Sequence, residues 1–372
     1  MNKNLYMLAS FGNFKRIPAG GGQTAARRLL NTLRDVGFDV SIFNRHRLYF
    51  QNKILDRISM LIGVAIDPIL FFFYLLFRRR KKSAVLFMSY CGSLLPFDFL
   101  ITLVTKMLGF RNIFYYAGGG GNHLYKNGSA LYKLLFKLTM RMYDEIMLEG
   151  FEGISLIQSV SKTKTFYLPN FSEIGFAPKN FSEKDKEVIN CIYFGRISLQ
   201  KNILLIIDIF KILADKYNNI KLTIVGSGGK SYEEEVTKHI ENTKYKDWIH
   251  KISRVDHKAL QEILSNQHFF IFPSAEPREG HSNALNEAMS CGIIPIVSAN
   301  NFLPSIVGNN ELVVDNYEAK SYAKAIFKII EQDKIGYYSK LMFERVRLNF
   351  TQEVVEEKLK KELETFFLEK WN

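Results

Sequence analysis

At 372 residues, with 47% hydrophobic and 23% charged content, the chain is that of a globular protein too long for a single growing core, which excludes a disordered or fibrous chain and points to two domains. Three widely spaced cysteines, Cys91, Cys191 and Cys291, exclude a disulfide framework or a thiolate metal cluster and suit a reducing compartment. The net charge of +13 lies wholly in the first part: residues 1–170 hold 23 Lys and Arg against 9 Asp and Glu, residues 171–372 hold 27 against 28, and no nucleic-acid-binding motif accompanies the basic part.

Residues 5–10 read as a short apolar strand. They lead into Ile17-Pro18-Ala19-Gly20-Gly21-Gly22-Gln23-Thr24, then a helix with apolar Leu29, Leu30, Leu33 and Val36 that ends at Gly37, then a strand over 38–43. This β–glycine turn–α–β unit is typical of a doubly wound sheet, where glycines let backbone N–H groups approach a phosphate or sugar. The spacing departs from the dinucleotide pattern G-x-G-x-x-G, which disfavours NAD, and three glycines also make a plain loop. No secretory signal is evident, since 5–9 is too short for an apolar h-region and Lys15-Arg16 follows, so a cytoplasmic protein is expected. Residues 53–77 read as helical with a break or kink at Asp67-Pro68, which leaves 69–77 as the longest uninterrupted apolar run. That is well short of the roughly 20 residues a membrane span needs, so a buried or interfacial helix is expected.

Arg78-Arg79-Arg80-Lys81-Lys82 precede a strand over 84–90, and 97–110 is another apolar helix. On a helix over 131–143, Lys133, Lys137 and Arg141 share one face beside Leu, Phe, Met and Tyr. That pattern suits attachment to anionic lipid, or else the solvated face of a core helix. A strand over 112–116 delivers Ala117 and the glycines Gly118 to Gly121, read as a flexible ligand-facing loop, with Asn122 and His123 beyond it. Short strands over 145–148 and 165–168 follow.

Residues 188–194 form a strand entering Gly195-Arg196-Ile197-Ser198-Leu199-Gln200-Lys201-Asn202, and a helix follows with Ile203, Ile206, Ile207, Phe210 and Leu213 on its apolar face. On the residues alone Arg196 and Lys201 are exposed charges of this loop. A strand over 222–225 enters Gly226-Ser227-Gly228-Gly229, and Ile252-Ser253-Arg254-Val255 forms a loop before a short helix over 259–264. A strand over 269–272 then opens the most informative stretch, FPSAEPREGHSNALNEAMSCG. Its polar loop carries Glu279 and leads to a helix from near Asn283, whose N-terminal N–H groups and dipole suit a diphosphate. Glu287, about one turn in, can accept bonds from ribose hydroxyls; in a plain strand–loop–helix corner Asn283 is an N-cap and Glu287 is solvated. Strands over 293–297 and 312–314 and helices over 322–330 and 352–367 complete the chain.

The order Glu279-Gly280-His281-Ser282-Asn283, Leu285, Glu287-Ala288-Met289 and Gly292 resembles the donor-site signature of retaining GT-B glycosyltransferases of family 4, the glycosyl transferases of group 1. Gly195-Arg196 followed by Lys201 resembles the diphosphate clamp of that family, with Asn202 where Gly is usual. Gly21 and Gly22 resemble its glycine pair facing the donor, and Ile252–Val255 its loop along the base, with Ser253 for the usual Gly. Tyr167-Leu168-Pro169-Asn170-Phe171 resembles the segment between its domains. The family often places a histidine directly after the strand that here ends at Tyr116; Ala117 stands there instead, so no catalytic role is carried to His123. The resemblance is strong over 193–315 and weak before 170.

The resemblance implies a GT-B fold of two Rossmann-like, doubly wound α/β domains facing across a cleft. Residues 1–170, completed by a C-terminal helix at about 350–372, would hold the acceptor, and 171–349 the nucleotide sugar. The implied activity is a hexosyltransferase type of transfer from a nucleotide-diphosphate donor to an acceptor hydroxyl, with retained configuration and no metal or other cofactor; the sequence has no Asp-x-Asp triplet. The implied donor-binding residues are Gly21, Gly22, Arg196, Lys201, Gly226, Arg254, Val255, Glu279, Gly280, His281, Ser282, Asn283 and Glu287, with Glu279 the catalytic candidate and no nucleophile assigned. The basic, apolar first part suggests a polyprenyl-linked saccharide acceptor of bacterial capsule, O-antigen or exopolysaccharide, and peripheral attachment to the inner face of the cell membrane. A GT-B sugar-nucleotide epimerase and a non-catalytic membrane-associated GT-B protein are the alternatives.

Overall fold

A computed structural model describes residues 4–16, 21–45, 53–78, 80, 82–171 and 187–369. Gly20 and the three residues before it, Arg79 and Lys81 of the basic run, and residues 172–186 after the Pro-Asn segment lie outside the described residues. The chain divides into two compact units, Met1–Asn170 with Glu353–Asn372, and Phe171–Gln352.

The first unit runs β1 (Asn4–Ala9), α1 (Gly21–Asp35), β2 (Asp39–Asn44), α2 (Lys53–Arg78), β3 (Ser83–Ser89), α3 (Leu95–Met107), β4 (Arg111–Tyr116), α4 (Gly120–Asn127), α5 (Ala130–Arg141), β5 (Glu145–Leu148), α6 (Phe151–Val160) and β6 (Lys164–Tyr167). Its sheet has the order β2-β1-β3-β4-β5-β6 with parallel pairing throughout. Every residue of β1 and β3 is buried, as expected of strands covered by helices on both faces. The strand order reverses between β1 and β3, which leaves a crevice at the carboxyl ends of these two strands.

Two readings change here. Of the break or kink expected at Asp67-Pro68, the break does not occur: α2 runs for 26 residues, about 39 Å, with Pro68 inside it. A proline in a helix interior removes one backbone bond and costs about 3 kcal/mol, so packing must offset it. The packing is visible: Asp67 is fully buried facing Arg45 Nε at 3.4 Å, and Phe71 and Leu75 enter the unit's core. By length and composition this helix could cross a membrane, yet that face is committed to the domain. The other change concerns the four glycines, which form a turn at Gly118 (φ +68°) and the start of α4 rather than a flexible loop. Tyr116 packs so closely on Gly121 that a Cβ there would collide with its ring, and its hydroxyl donates to Asn122 Oδ1 at 2.9 Å. Glu149, beyond β5, accepts from Gly118 N–H at 2.9 Å and from the Tyr115 hydroxyl at 3.0 Å. His123 lies exposed on α4 with Asn127 Nδ2 at 3.3 Å from its Nδ1.

The C-terminal helix α14 (Gln352–Leu368) packs on the first unit. Phe367 meets Phe38, and the Arg111 guanidinium lies 3.5 Å from the Phe366 ring centre. Glu362 pairs with Lys164, which also faces the buried Glu145 at 3.6 Å. Burial, reinforced by the neighbouring Glu362, pushes the Glu145 carboxyl up to about 8. A carboxyl raised on folding stabilises the folded state while protonated, and that contribution is lost as pH rises through the folded value. The thermal midpoint of the protein should therefore fall between pH 5 and 8, and Glu145→Gln should flatten that slope; an unchanged slope would refute the assignment.

The second unit runs β7 (Ile189–Phe194), α7 (Ile203–Lys216), β8 (Ile220–Val225), α8 (Lys230–Glu241), β9 (Ile249–Ile252), α9 (His257–Leu264), β10 (Phe269–Phe272), α10 (Asn283–Ser290), β11 (Ile294–Ser298), α11 (Leu303–Val307), β12 (Val313–Val314), α12 (Ala319–Glu331) and α13 (Ile335–Asn349). Its parallel sheet has the order β12-β11-β10-β7-β8-β9, so its strand order reverses at the junction of β7 and β10.

Candidate functional site

Four neighbouring strands of the second sheet, β10, β7, β8 and β9, each deliver a candidate residue at their carboxyl ends: Glu279, Arg196, Gly226 and Arg254 in turn. The turns after β7 and β8 are locked backbone to backbone. Gly195 N–H donates to Val225 O at 3.0 Å, Ile197 N–H to Ser227 O at 3.1 Å and Gly226 N–H to Ile252 O at 2.9 Å. Gly226 has φ +149°, and a Cβ there would run into the Gly195 carbonyl, so only glycine fits. Tyr193, buried in the sheet, donates its hydroxyl to Arg196 O at 2.7 Å; burial holds that phenol well above its ordinary value, so it stays a donor. The Arg196 side chain is left exposed at the rim.

After Arg196 a short 3-10 turn, Leu199–Lys201, ends at Asn202 with φ +53° and ψ +48°. This is the left-handed region that glycine and asparagine tolerate, so Asn202 serves where a Gly was expected. Its Nδ2 also donates to Pro273 O at 2.8 Å, and Ala275 N–H donates to Gln200 O at 2.8 Å, which joins this turn to the one after β10. Lys201 is thereby held against that turn, where its ammonium ion-pairs with Glu279 and lies 4.7 Å from the Phe272 ring centre. Ser274, wholly buried, donates to the same Glu279 oxygen at 2.5 Å.

Ser274 was not among the expected site residues, and its only sequence signal is its place just after a buried strand. Glu276-Pro277-Arg278 close a turn in which Glu279 N–H donates to Glu276 O at 3.0 Å. The amides of Asn300 and Asn301 pin it through the Glu276 and Pro277 carbonyls.

The N-cap of α10 is Ser282, not Asn283: the Ser282 hydroxyl accepts from Leu285 N–H at 3.4 Å and Asn283 is the first helical residue. His281 is buried, with Nε2 3.0 Å from Asn286 Oδ1 and its ring edge-on to Phe350 at 4.8 Å, so its side chain is a structural support of the loop. Gly280 and Glu287 are half-exposed beside it. Arg254 is exposed, its N–H donating to Ser227 Oγ at 3.3 Å, and Val255 is half-exposed. Gly21 and Gly22 start α1 in the first unit, where a Cβ on Gly22 would collide with the Tyr90 hydroxyl. The site thus offers three cations, Arg196, Lys201 and Arg254, the N-terminal N–H groups of a helix and two carboxylates, a set suited to an anion bearing hydroxyl groups.

Residues 176–341 match the family model described as glycosyl transferases group 1, a little under half of the chain. Among curated proteins, the capsular polysaccharide biosynthesis glycosyltransferase CapH of Staphylococcus aureus is 31% identical over 49% of this chain and 49% of its own. The O-antigen chain mannosyltransferase B of Escherichia coli is 26% identical over 38% of this chain and 37% of its own. The alignments thus span less than half the length of these relatives. Sucrose-phosphate synthase from Thermosynechococcus elongatus superposes over 98% of this chain and 99% of its own with TM-score 0.73 at 18% identity. The Anabaena protein HepE, solved in complex with UDP and glucose, does so over 98% and 100% with TM-score 0.65 at 13% identity. At these identities the likeness speaks for the fold, which is the two-domain α/β GT-B fold. The matched residues and this fold together support a group 1 glycosyltransferase.

Proposed function

We propose that the chain is a metal-independent hexosyltransferase that takes a sugar from a nucleotide-diphosphate donor, retains its configuration and places it on a hydroxyl of a lipid-linked saccharide in surface-polysaccharide assembly. The observation that carries the reading is the Lys201–Ser274–Glu279 cluster beside the Arg196 turn, where the strand order of the second sheet reverses. Arg196 and Lys201 neutralise the diphosphate as the glycosidic bond breaks, and the backbone N–H groups of Gly280 to Asn283 at the start of α10 share that charge. Glu279 fixes the Lys201 ammonium and offers its remaining acceptor capacity to donor hydroxyls, Glu287 takes the ribose, and Arg254 and Val255 line the base. No side chain is assigned as nucleophile; the leaving phosphate accepts the acceptor's proton. The capsular and O-antigen names of the relatives support the polysaccharide acceptor.

The membrane part of the proposal has its own support. The neighbouring helices α2, α3 and α5 leave Leu61, Ile69, Phe77, Leu103, Met107 and Leu131 exposed, and α5 adds Lys133, Lys137 and Arg141. Exposed apolar side chains with basic neighbours suit the cytoplasmic face of an anionic bilayer.

Titration with UDP- and GDP-sugars tests the donor site: one series should bind saturably, and Arg196→Ala should weaken it at least about tenfold, or roughly 1.4 kcal/mol. Binding of neither series would overturn the reading. A donor sugar altered without any acceptor would replace transfer by epimerisation.

A further inference from the structure

The turn that carries Glu279 is held from outside by side chains that its own closure does not require. A four-residue turn closes on one bond, here from Glu279 N–H to Glu276 O at 3.0 Å. The same carbonyl also accepts from Asn300 Nδ2 at 2.9 Å and Asn301 Nδ2 at 3.2 Å, and Asn301 Nδ2 lies 3.1 Å from Pro277 O as well. Three donors on an oxygen with two lone pairs exceed what satisfying that carbonyl requires. Both asparagines follow β11, the strand beside β10. Asn301 sits in the left-handed region at φ +46°, which asparagine tolerates better than most side chains, and from that backbone its amide reaches the neighbouring turn. Ser298, the last residue of β11, is 1% exposed and donates to Ser274 O at 2.6 Å.

These bonds form a chain that ends at the charged pair. The asparagine amides fix Glu276 O, that oxygen fixes the Glu279 N–H, and the Glu279 carboxylate ion-pairs with Lys201. Ser298 fixes the Ser274 peptide, whose hydroxyl donates to the same carboxylate oxygen. A loop at a sheet end moves unless it is tied to the scaffold, and a misplacement of about 1 Å at a binding group can cost about a hundredfold. Arg196 and Arg254 stand on other turns and Glu287 on α10, so none of the three depends on this brace.

We propose that Asn300 and Asn301 are positioning residues for the donor sugar: they brace the Glu276–Glu279 turn against the end of β11 and so fix the Glu279 carboxylate between the Lys201 ammonium and the sugar hydroxyls. The proposal rests on the reading of this site as the donor site of a glycosyltransferase. It adds that recognition of the sugar, as distinct from the nucleotide, is set from β11.

Asn301→Gly tests this, since glycine keeps the left-handed backbone and loses the amide, and Asn301→Asp keeps the outline of the side chain without a donor. In both, the UDP- or GDP-sugar that the parent protein binds should bind at least about tenfold more weakly, with bare UDP or GDP within about threefold of the parent. A merely loosened fold would weaken both ligands alike. Acetic anhydride labelling without any ligand, read by mass spectrometry, gives the second measurement. Lys201, whose side chain is 15% exposed beside Glu279, should be acetylated several-fold faster in the variants. Lys251 of β9, ion-paired with Glu233 at 3.5 Å, should keep the parent rate. Asn300→Ala, which leaves the Asn301 backbone untouched, gives the same two readouts if neither Asn301 variant folds. Sugar nucleotide and bare nucleotide affected alike, or Lys201 labelled at the parent rate, would overturn the proposal. Faster Lys201 labelling in variants of a protein that binds no sugar nucleotide would support the brace while refuting the transferase reading, so the two can fail separately.

Discussion

Lys201→Met is expected to lower the stability of the second unit by about 3–5 kcal/mol and to abolish nucleotide-sugar binding. Glu279 is only 8% exposed, and one of its oxygens is met by both the Lys201 ammonium and the Ser274 hydroxyl. Removing the ammonium leaves a buried carboxylate with one neutral donor, and the cost of an unpaired buried charge exceeds the net worth of the pair. Glu279→Leu strands the ammonium in the same way, although Lys201 keeps its approach to the Phe272 ring. Because both losses come from one pair, the double variant Lys201→Met/Glu279→Leu should be more stable than the sum of the single changes predicts. It should still fail to bind a sugar nucleotide, since the point charge for the diphosphate is gone. Denaturant unfolding and calorimetric titration separate the two effects. Additive stability losses would show that the pair is not coupled, and nucleotide binding retained by the double variant would remove Lys201 from the donor site.

The strands were legible because parallel strands covered on both faces must be apolar along their whole length. Residues 145–148 and 269–272 are found with the bounds read from sequence alone, and the other strands read differ by one or two residues at an end, while β9 passed unread. Helices were less evenly legible, and even α9, which buries only Leu264, was read. α7, with seven buried apolar residues, was plain, whereas α8 buries only Val236 and Ile240 and passed unread, as did α6 and α13. The glycines Gly118 to Gly121 look like a loop by composition; it is the Tyr116 ring, packed against Gly121, that turns them into a helix start.

The candidate site divides in the same way. Residue order along 279–292 was enough to single out the loop before α10, since a helix N-terminus after a buried strand is a local feature. The pairing of Lys201 with Glu279 is not local: it joins positions 78 apart, and depends on Asn202 and Gln200 tying two turns together. The left-handed backbone of Asn202 shows why its departure from glycine costs little, something composition cannot reveal. His281 shows the reverse case. A histidine in a polar loop invites a functional role, but Phe350 and Asn286, both outside the loop itself, enclose it.

In the first unit α2 depends on Arg45, and Arg45→Met is expected to cost that unit about 3–5 kcal/mol, with a pH dependence the parent protein has only in weaker form. Burial already holds the Asp98 carboxyl above its ordinary value, while Arg45 and Ser89 pull it back. A carboxyl raised on folding contributes its stability when protonated and loses it as pH rises through the folded value. Removing Arg45 takes away the larger of the two opposing influences, so the raised value climbs further and the window of lost stability widens upward. Thermal midpoints of Arg45→Met should therefore lie closer to the parent at pH 5 than at pH 8. Adding Asp98→Asn should restore much of the loss at pH 8, because the amide keeps the Ser89 hydroxyl bond without a charge. Asp67 makes the argument bear on the helix itself. It immediately precedes Pro68, where one backbone bond is already missing, and Arg45 is the partner that draws this turn onto the sheet. With Arg45 gone, the break expected from Asp67-Pro68 alone should open, and amide exchange should quicken around Pro68 more than in α3 or α5. Uniform exchange along α2 together with a pH-independent loss would show that Arg45 supports neither the carboxylates nor the helix.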